Sequence, residues 1–358
     1  MIALYLLAGF TLLVGGAELL VRGAARLAAQ FGIPPLIIGL TVVAFGTSAP
    51  ETAVSVQAAY AGSGDLAIGN VLGSNIANVL LILGLTAMVA PLVVSRQLIR
   101  LDVPLMIGAS LLVYALALDA SLSRLNGALL FACILGYTAF QVIKGRKDHA
   151  AAGSDEFAEE YGLRETPGPY AWISHLGLLV IGLAMLVGGA NLLVTGAVEL
   201  ARAFGLSELV IGLTVIAIGT SLPELATSLI AVLKGERDIA VGNIVGSNLF
   251  NLLCVLGLTA LVSPGAVPVA TNALDFDFPV MIAVAIACLP IFFNGYRINR
   301  WEGAVFVSYY LLYTLYLLMS QTGMGDANLL RDAMLWFVLP LTAVTLLVIS
   351  IRAWRLQR

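Results

Sequence analysis

Apolar residues run through this chain in long stretches, and polar residues either interrupt those stretches or recur inside them at helical spacing. About 20 apolar residues in helical form cross a bilayer. On that rule the pattern predicts membrane-spanning helices near residues 2–21, 36–59, 66–90, 101–118, 124–143, 171–194, 207–233, 239–263, 278–294, 302–320 and 333–351. The first ten form two sets of five, within 1–143 and 171–320, joined by a polar segment at 144–170. The eleventh carries no charge and no polar cluster, so it reads as an addition that serves packing or assembly.

The two sets are copies. The segment 39–91 contains GLTVVAFGTSAPE followed by GNVLGSNIANVL, and 212–264 contains GLTVIAIGTSLPE followed by GNIVGSNLFNLL. An offset of 173 residues, from Gly39 to Gly212, aligns them without a gap. Extended back to Gly15 and Gly188, roughly 44 of 77 aligned positions are identical. This is an internal duplication, and function is expected where the two polar clusters meet. Five spans per copy is an odd number, so the second copy enters the membrane in the opposite orientation, an inverted repeat.

Composition agrees. Of 358 residues, 60% are hydrophobic and 11% charged, against about 45–50% and 25% in soluble domains. Mean hydropathy is +1.00. This excludes an ordinary soluble domain and predicts an all-α polytopic membrane protein in a bilayer, with no nucleic-acid partner. The N-terminus is apolar from Ile2 but lacks a basic leader and a clear cleavage site, so it is read as a retained first span.

Charge placement sets the expected orientation. With the N-terminus outside and the C-terminus cytoplasmic, fifteen Lys and Arg residues fall in inside loops and three, Arg124, Arg202 and Arg331, fall outside. That bias suits a bacterial inner (plasma) membrane. Arg22 and Arg26 align with Thr195 and Glu199, whereas Ser63 and Gly64 align with Glu236 and Arg237. Basic charge thus follows whichever copy of a loop faces inward. The linker holds Asp155, Glu156, Glu159 and Glu160, but their spacing does not match an EF-hand, so it reads as a solvated connection. His149 and His175 have no partner cluster, and Cys133, Cys254 and Cys288 sit in apolar runs as small buried side chains.

Ionisable residues inside a span are costly and usually functional. Glu51 and Glu224 fall near the middle of their expected spans, at the same motif position. On a helix, Ala44, Thr47, Ser48 and Glu51 share a face, as do Ala217, Thr220, Ser221 and Glu224. The next spans add Asn70, Ser74, Asn75 and Asn78, and Asn243, Ser247, Asn248 and Asn251. Pro50 and Pro223 disturb the carbonyls four residues back, those of Gly46 and Gly219, which then need another partner. Gly69, Gly73, Gly242 and Gly246 let the broken helices approach. Thr41, Ser55, Thr214 and Ser228 read more simply as bonds to their own helix or a neighbour, and Glu18 as a structural pair with Arg22.

Each half offers hydroxyls, amides and one carboxylate, all oxygen donors. With no His or Cys nearby, zinc and copper are disfavoured and a hard cation such as calcium suits the set. One Ca2+ neutralises two carboxylates, and sodium ions at the same oxygens could do so instead, which is the physical basis of exchange.

GTSAPE with GSNIAN, and GTSLPE with GSNLFN, resemble the two alpha-repeats of the sodium/calcium exchanger family of the cation/calcium exchanger superfamily, prokaryotic type. The resemblance covers most of the first ten spans. It implies ten helices in two inverted five-helix halves, with spans two, three, seven and eight around an ion site and spans one and six sliding across it. It implies antiport of Na+ against Ca2+, with no resident cofactor and no enzymatic reaction. By motif position, the carboxylate ligands would be Glu51 and Glu224, with Thr47 and Thr220 acting through carbonyl and hydroxyl. Ser48, Ser221, Ser74, Ser247, Asn78 and Asn251 would complete the sites, with carbonyls from Ala44 and Ala217. Potassium-dependent members carry Asp where Asn251 stands, so the chain leans away from potassium coupling. The proton-coupled branch lacks the Gly-Thr-Ser-x-Pro-Glu pattern, so Thr47–Ser48 and Thr220–Ser221 favour sodium.

Three other functions fit less well. A calcium/proton exchanger would load the same glutamates with protons. An intramembrane hydrolase would use two carboxylates as acid and base, but has no use for duplicated Ser, Thr and Asn. A sodium-coupled symporter for an organic solute would need basic or aromatic residues in the cluster.

Overall fold

The computed structural model describes residues 1–31, 33–152, 171–205, 217–322 and 326–333. Helix α1 (Ile2–Phe31) has no internal proline and extends ten residues past the expected end of the first span, because the Ala-rich stretch after Arg22 continues the helix. After it, Pro35 starts α2 (Pro35–Thr47) at the position where a missing N–H costs nothing. Ser48 (φ −81°, ψ 8°) leaves the helical region, and α3 (Ala49–Tyr60) departs at 44°. Pro50 is the second residue of α3, so it begins a new helix and does not sit inside a continuous one.

Gly62 (φ +76°) turns the chain into α4 (Gly64–Val89). Strand β1 (Leu92–Val93), α5 (Leu98–Ala117), β2 (Ser121–Leu122) and α6 (Arg124–Ala152) complete the first half. The second half repeats the order. It runs α7 (Ala171–Ala203), a helical turn at Ala217–Gly219, α8 (Leu222–Leu233), α9 (Arg237–Val262), β3 (Val267–Pro268), α10 (Ala273–Phe293), β4 (Arg297–Ile298), α11 (Arg300–Thr322) and the short α12 (Ala327–Ala333). Gly235 (φ +86°) joins α8 to α9, 173 residues after Gly62, and at both corners the left-handed backbone calls for glycine.

Eight described helices are long and apolar enough to cross a bilayer, or nine with α2 and α3 taken as one broken span. Helix α8 is the described end of the span expected at 207–233. The expected span at 333–351, Thr214 and the linker carboxylates Asp155, Glu156, Glu159 and Glu160 lie outside the described residues. Helix α6 continues past the expected boundary at 143, because the residues that follow are helix formers.

Burial sorts the helices. In the most apolar stretch of α4, 78% of residues are buried, and of α9, 89%; the other six helices reach 28–44%. Helices α4 and α9 are therefore the centre, and the rest surround them. Helix α1 packs along α7, α5 on α10, α11 on the end of α4 and α6 on the end of α9. The last two contacts are one contact with the copies exchanged. The strands behave likewise: β1 pairs with β4 and β2 with β3, so each two-stranded ribbon joins the halves. At the ends of the central helices, Arg300 Nη2 donates to Val89 O at 3.3 Å, and Arg124 Nη2 donates to Ser263 O at 3.0 Å.

Glycine sets the closest approaches. A Cβ on Gly16 would lie 2.7 Å from Gly182 O, and one on Gly9 would lie 2.9 Å from Gly189 O. These two contacts between α1 and α7 exchange under the 173-residue offset. The expected Glu18–Arg22 pair is present, and Lys234 Nζ also donates to Glu18 Oε1 at 2.6 Å, tying α1 to the end of α8.

Candidate functional site

The break at Ser48 changes how the motif presents its side chains. The sequence places Ala44, Thr47, Ser48 and Glu51 on one helical face, but two helices share them. Thr47 ends α2, Ser48 is the joint, and Glu51 lies in the first turn of α3. In the second half Ser221 (φ −90°, ψ 8°) is the joint and Glu224 lies in the first turn of α8. Both carboxylates thus stand at the positive end of a helix dipole, which favours a negative charge there.

Helices α4 and α9 supply the other wall. Each is continuous through a wider π-helical stretch, Asn78–Leu83 and Phe250–Val255, at equivalent positions beside the cluster. Such wide turns often mark functional segments.

The hydroxyls at the two helix joints serve the opposite half. Ser48 Oγ donates to Glu224 Oε1 at 3.3 Å, and Ser221 Oγ donates to Glu51 Oε1 at 3.1 Å. Ser74 Oγ also donates to Glu51 Oε1, at 3.4 Å, and lies 3.3 Å from Ser221 Oγ. Thr47 Oγ1 lies 3.1 Å from Asn243 Oδ1 and 3.4 Å from Ser247 Oγ, both on α9. Thr220 Oγ1 reaches Asn70 Oδ1 at 3.5 Å. The Ala44 carbonyl accepts the Ser48 N–H at 3.1 Å. Ala217 is described in its backbone only, one helical turn before Ser221.

The centre is closed to solvent. Glu51 and Glu224 are 0% exposed, and Thr47, Ser48, Ser74, Ser221, Ser247, Asn78 and Asn251 are buried around them. Glu51 Oε2 and Glu224 Oε2 have no hydrogen-bond partner; neither do Asn78 Oδ1 or either amide atom of Asn251. No ion pair among the described residues involves either glutamate. No group of three or more His, Cys, Asp or Glu side chains gathers among the described residues, so the only acids in the cluster are these two. Two buried carboxylates, each with an oxygen unpartnered, form an oxygen-rich cluster suited to a hard cation.

The smaller expectations divide. Thr41 bonds its own helix at Ile37 O (2.6 Å), while Ser55 and Ser228 accept from Asn70 and Asn243. A Cβ on Gly242 would lie 2.8 Å from Leu36 O and one on Gly246 2.7 Å from Leu40 O, so these glycines do admit α2 against α9. At Gly69 and Gly73 no described atom lies within 4 Å, and the residues that the offset would bring there, 209 and 213, are outside the described set. His175 is tied to Gln30 at 2.9 Å, away from the cluster, and all three cysteines are free.

Sequence reasoning missed a further buried acid. Asp102 on α5 accepts from Tyr137 Oη at 3.1 Å and from Gln141 Nε2 at 2.5 Å, both on α6, and from Gln97. In the other half Tyr313 Oη donates to Asp277 Oδ1 at 3.0 Å. An acidic residue inside a span was the available signal. These acids bond to neighbouring helices and lie outside the glutamate cluster.

The chain is similar to known proteins in sequence and fold. Residues 1–143 and 174–319 match the family described as Sodium/calcium exchanger protein. The Inner membrane protein YrbG of Escherichia coli is 42% identical over 288 residues, covering 79% of this chain and 87% of that protein. The Sodium/calcium exchanger MaX1 of Methanosarcina acetivorans is 32% identical over 345 residues, covering 88% and 97%. A solved structure of the sodium-calcium exchanger NCX_Mj, soaked with zero Na+ and Ca2+, superposes with a TM-score of 0.75 at 30% identity, covering 88% of this chain and 100% of that one.

Proposed function

The chain belongs to the sodium/calcium exchanger family, a family of cation/calcium antiporters and not of enzymes, and from that premise we propose that it exchanges Na+ for Ca2+ at the two-glutamate cluster. One observation carries the site assignment. Glu51 and Glu224 are fully buried, come from opposite halves, and each keep one oxygen without a partner, with no basic side chain among the described residues paired to either. Leaving two such charges uncompensated at membrane depth costs several kcal/mol or more. One Ca2+ removes the charge, and so do sodium ions on the same oxygens, so each ion displaces the other.

Glu51 and Glu224 are the carboxylate ligands in this reading. Thr47, Thr220, Ser48, Ser221, Ser74, Ser247, Asn78 and Asn251 supply hydroxyl and amide oxygens, and Ala44 and Ala217 supply carbonyls. The unpartnered oxygens of Asn78 and Asn251 support their inclusion. The two halves lie in opposite orientation, giving ten spans with an added eleventh. Helices α1 and α7, held together by glycine contacts, slide as one body over the α4–α9 core to switch access. The protein resides in a bacterial inner (plasma) membrane, N-terminus outside; the bias of its basic residues and its likeness to an inner membrane protein of Escherichia coli support this.

The test is uptake of radioactive calcium into proteoliposomes loaded with sodium and diluted into sodium-free, potassium-free buffer. Uptake that needs the outward sodium gradient and is lost in Glu51→Gln supports the reading. Uptake driven only by a pH gradient replaces it with calcium/proton exchange at the same glutamates. Uptake under neither gradient overturns calcium antiport.

A further inference from the structure

Two amides outside the proposed ligand set stand where the halves meet. Asn243, 0% exposed on α9, donates from Nδ2 to Ser228 Oγ at 3.1 Å and to the Glu224 carbonyl at 3.5 Å, both on α8 of its own half. Its Oδ1 accepts from Thr47 Oγ1 at 3.1 Å, on α2 of the other half. Asn70 repeats the arrangement. It donates to Ser55 Oγ at 3.0 Å and to the Glu51 carbonyl at 3.3 Å, and its Oδ1 faces Thr220 Oγ1 at 3.5 Å. Each amide directs its donors to its own half and its acceptor to the opposite one.

That division matters for a cation. A threonine hydroxyl has one hydrogen and two lone pairs. Around Thr47 Oγ1, Asn243 Oδ1 lies at 3.1 Å and Ala44 O and Ser247 Oγ both at 3.4 Å, with the Glu224 carboxylate also beside it. With its hydrogen on Asn243, Thr47 keeps lone pairs for the cleft. Without that acceptor, the hydroxyl can turn its hydrogen toward the carboxylates and repel a cation. The same amide also fixes the peptide from which Glu224 projects.

We propose that Asn243 and Asn70 are positioning residues for cation binding, each orienting the opposite half's threonine hydroxyl while anchoring the backbone of its own half's glutamate. The inference rests on the two-glutamate reading above. It makes the oxygen cage a property of both halves in register. The shorter Asn243–Thr47 bond carries more of the effect than Asn70–Thr220.

A double-mutant cycle tests it on the purified full chain, with calcium chloride as the probe. The readouts are the calcium dependence of uptake and the calcium-induced rise in unfolding midpoint. Asn243→Ala and Thr47→Val each weaken apparent calcium affinity about five- to tenfold, the worth of one hydrogen bond near a charge. Combined, they weaken it by clearly less than the product of the two single changes, because the anchoring of the Glu224 peptide is the only part of the Asn243 effect that does not pass through Thr47. Asn70→Ala with Thr47→Val, which share no bond, multiply. Thr47→Ser, which keeps the hydroxyl, recovers part of the affinity that Thr47→Val loses. A purely structural asparagine would lower the calcium-free midpoint and multiply with Thr47→Val, and that result overturns the inference alone. A parent protein with neither uptake nor a calcium-induced shift overturns the two-glutamate reading, and this inference with it.

Discussion

Replacing Gly182 by alanine offers a quantitative test of the α1–α7 contact. The added Cβ would sit 2.6 Å from the Leu20 N and 2.7 Å from the Gly16 O, both backbone atoms of α1 that no rotamer change can move. Carbon contacts are comfortable at about 3.5–4.0 Å, so the helices must part by roughly 1 Å at that point. A gap of that size forfeits about a quarter to a half of each facing dispersion contact, and overpacking of this kind costs about 1–3 kcal/mol. Gly188→Ala on the same helix is the control, because no described atom lies within 4 Å of its added Cβ. Both substitutions gain the same alanine helix propensity, so their difference isolates the contact. The assay is unfolding of purified protein in mixed micelles by rising SDS fraction. Gly182→Ala should be less stable than Gly188→Ala by about 1–3 kcal/mol. Equal stabilities would show that the two helices are not locked at this glycine, and would remove the support for their moving as one body.

Further expectations follow from the polar groups. Glu51→Gln or Glu224→Gln should abolish calcium uptake while leaving size-exclusion behaviour unchanged; near-normal exchange by either purified variant would sink the site assignment. Asp102→Ala strands the Tyr137, Gln141 and Gln97 donors and should cost about 2–3 kcal/mol, with Asp102→Asn milder because it keeps an acceptor. An unchanged SDS midpoint in Asp102→Ala would contradict that network. Arg124→Ala loses three bonds to the carbonyls of Ser263 and Pro264, against one bond to Val89 for Arg300→Ala. It should therefore be the more destabilising, by about 1 kcal/mol, and the reverse order would argue against carbonyl capping at these helix ends.

Much of this was legible in the sequence for a simple reason. Hydrophobic runs report helices directly, and a duplication as close as that between Gly15–Pro91 and Gly188–Pro264 marks its own functional segment. The oxygen-bearing cluster, including both glutamates and their hydroxyl neighbours, was assembled from spacing alone. Spacing could not say who bonds whom. Helical period puts Ser48 beside Glu51, but the break at Ser48 redirects it to Glu224, and only the packing of one half on the other decides that. The Asp102 network was missed because its partners lie 35 and 39 residues away on another helix. The glycine contacts at Gly9 and Gly16 look in sequence like any small residues in an apolar run, since closeness of approach is not written in composition. The end of α6 was placed early because a polar segment was read as a loop, although its residues favour helix.

The exchange of serines between the glutamates bears on how such a chain could arise. Ser48 reaches Glu224 while Ser221 reaches Glu51, the same contact made twice with the roles reversed. That is the signature of an isologous interface, the self-complementary surface by which two identical subunits associate about a two-fold axis. The polar heart of the protein is in this sense a homodimer contact enclosed within one polypeptide. A lone half would carry a carboxylate and a serine that cannot meet each other, and could complete its cage only by finding a second copy. Fusion of the copies frees each to diverge everywhere except at this contact, where a change in one half is felt by the carboxylate of the other.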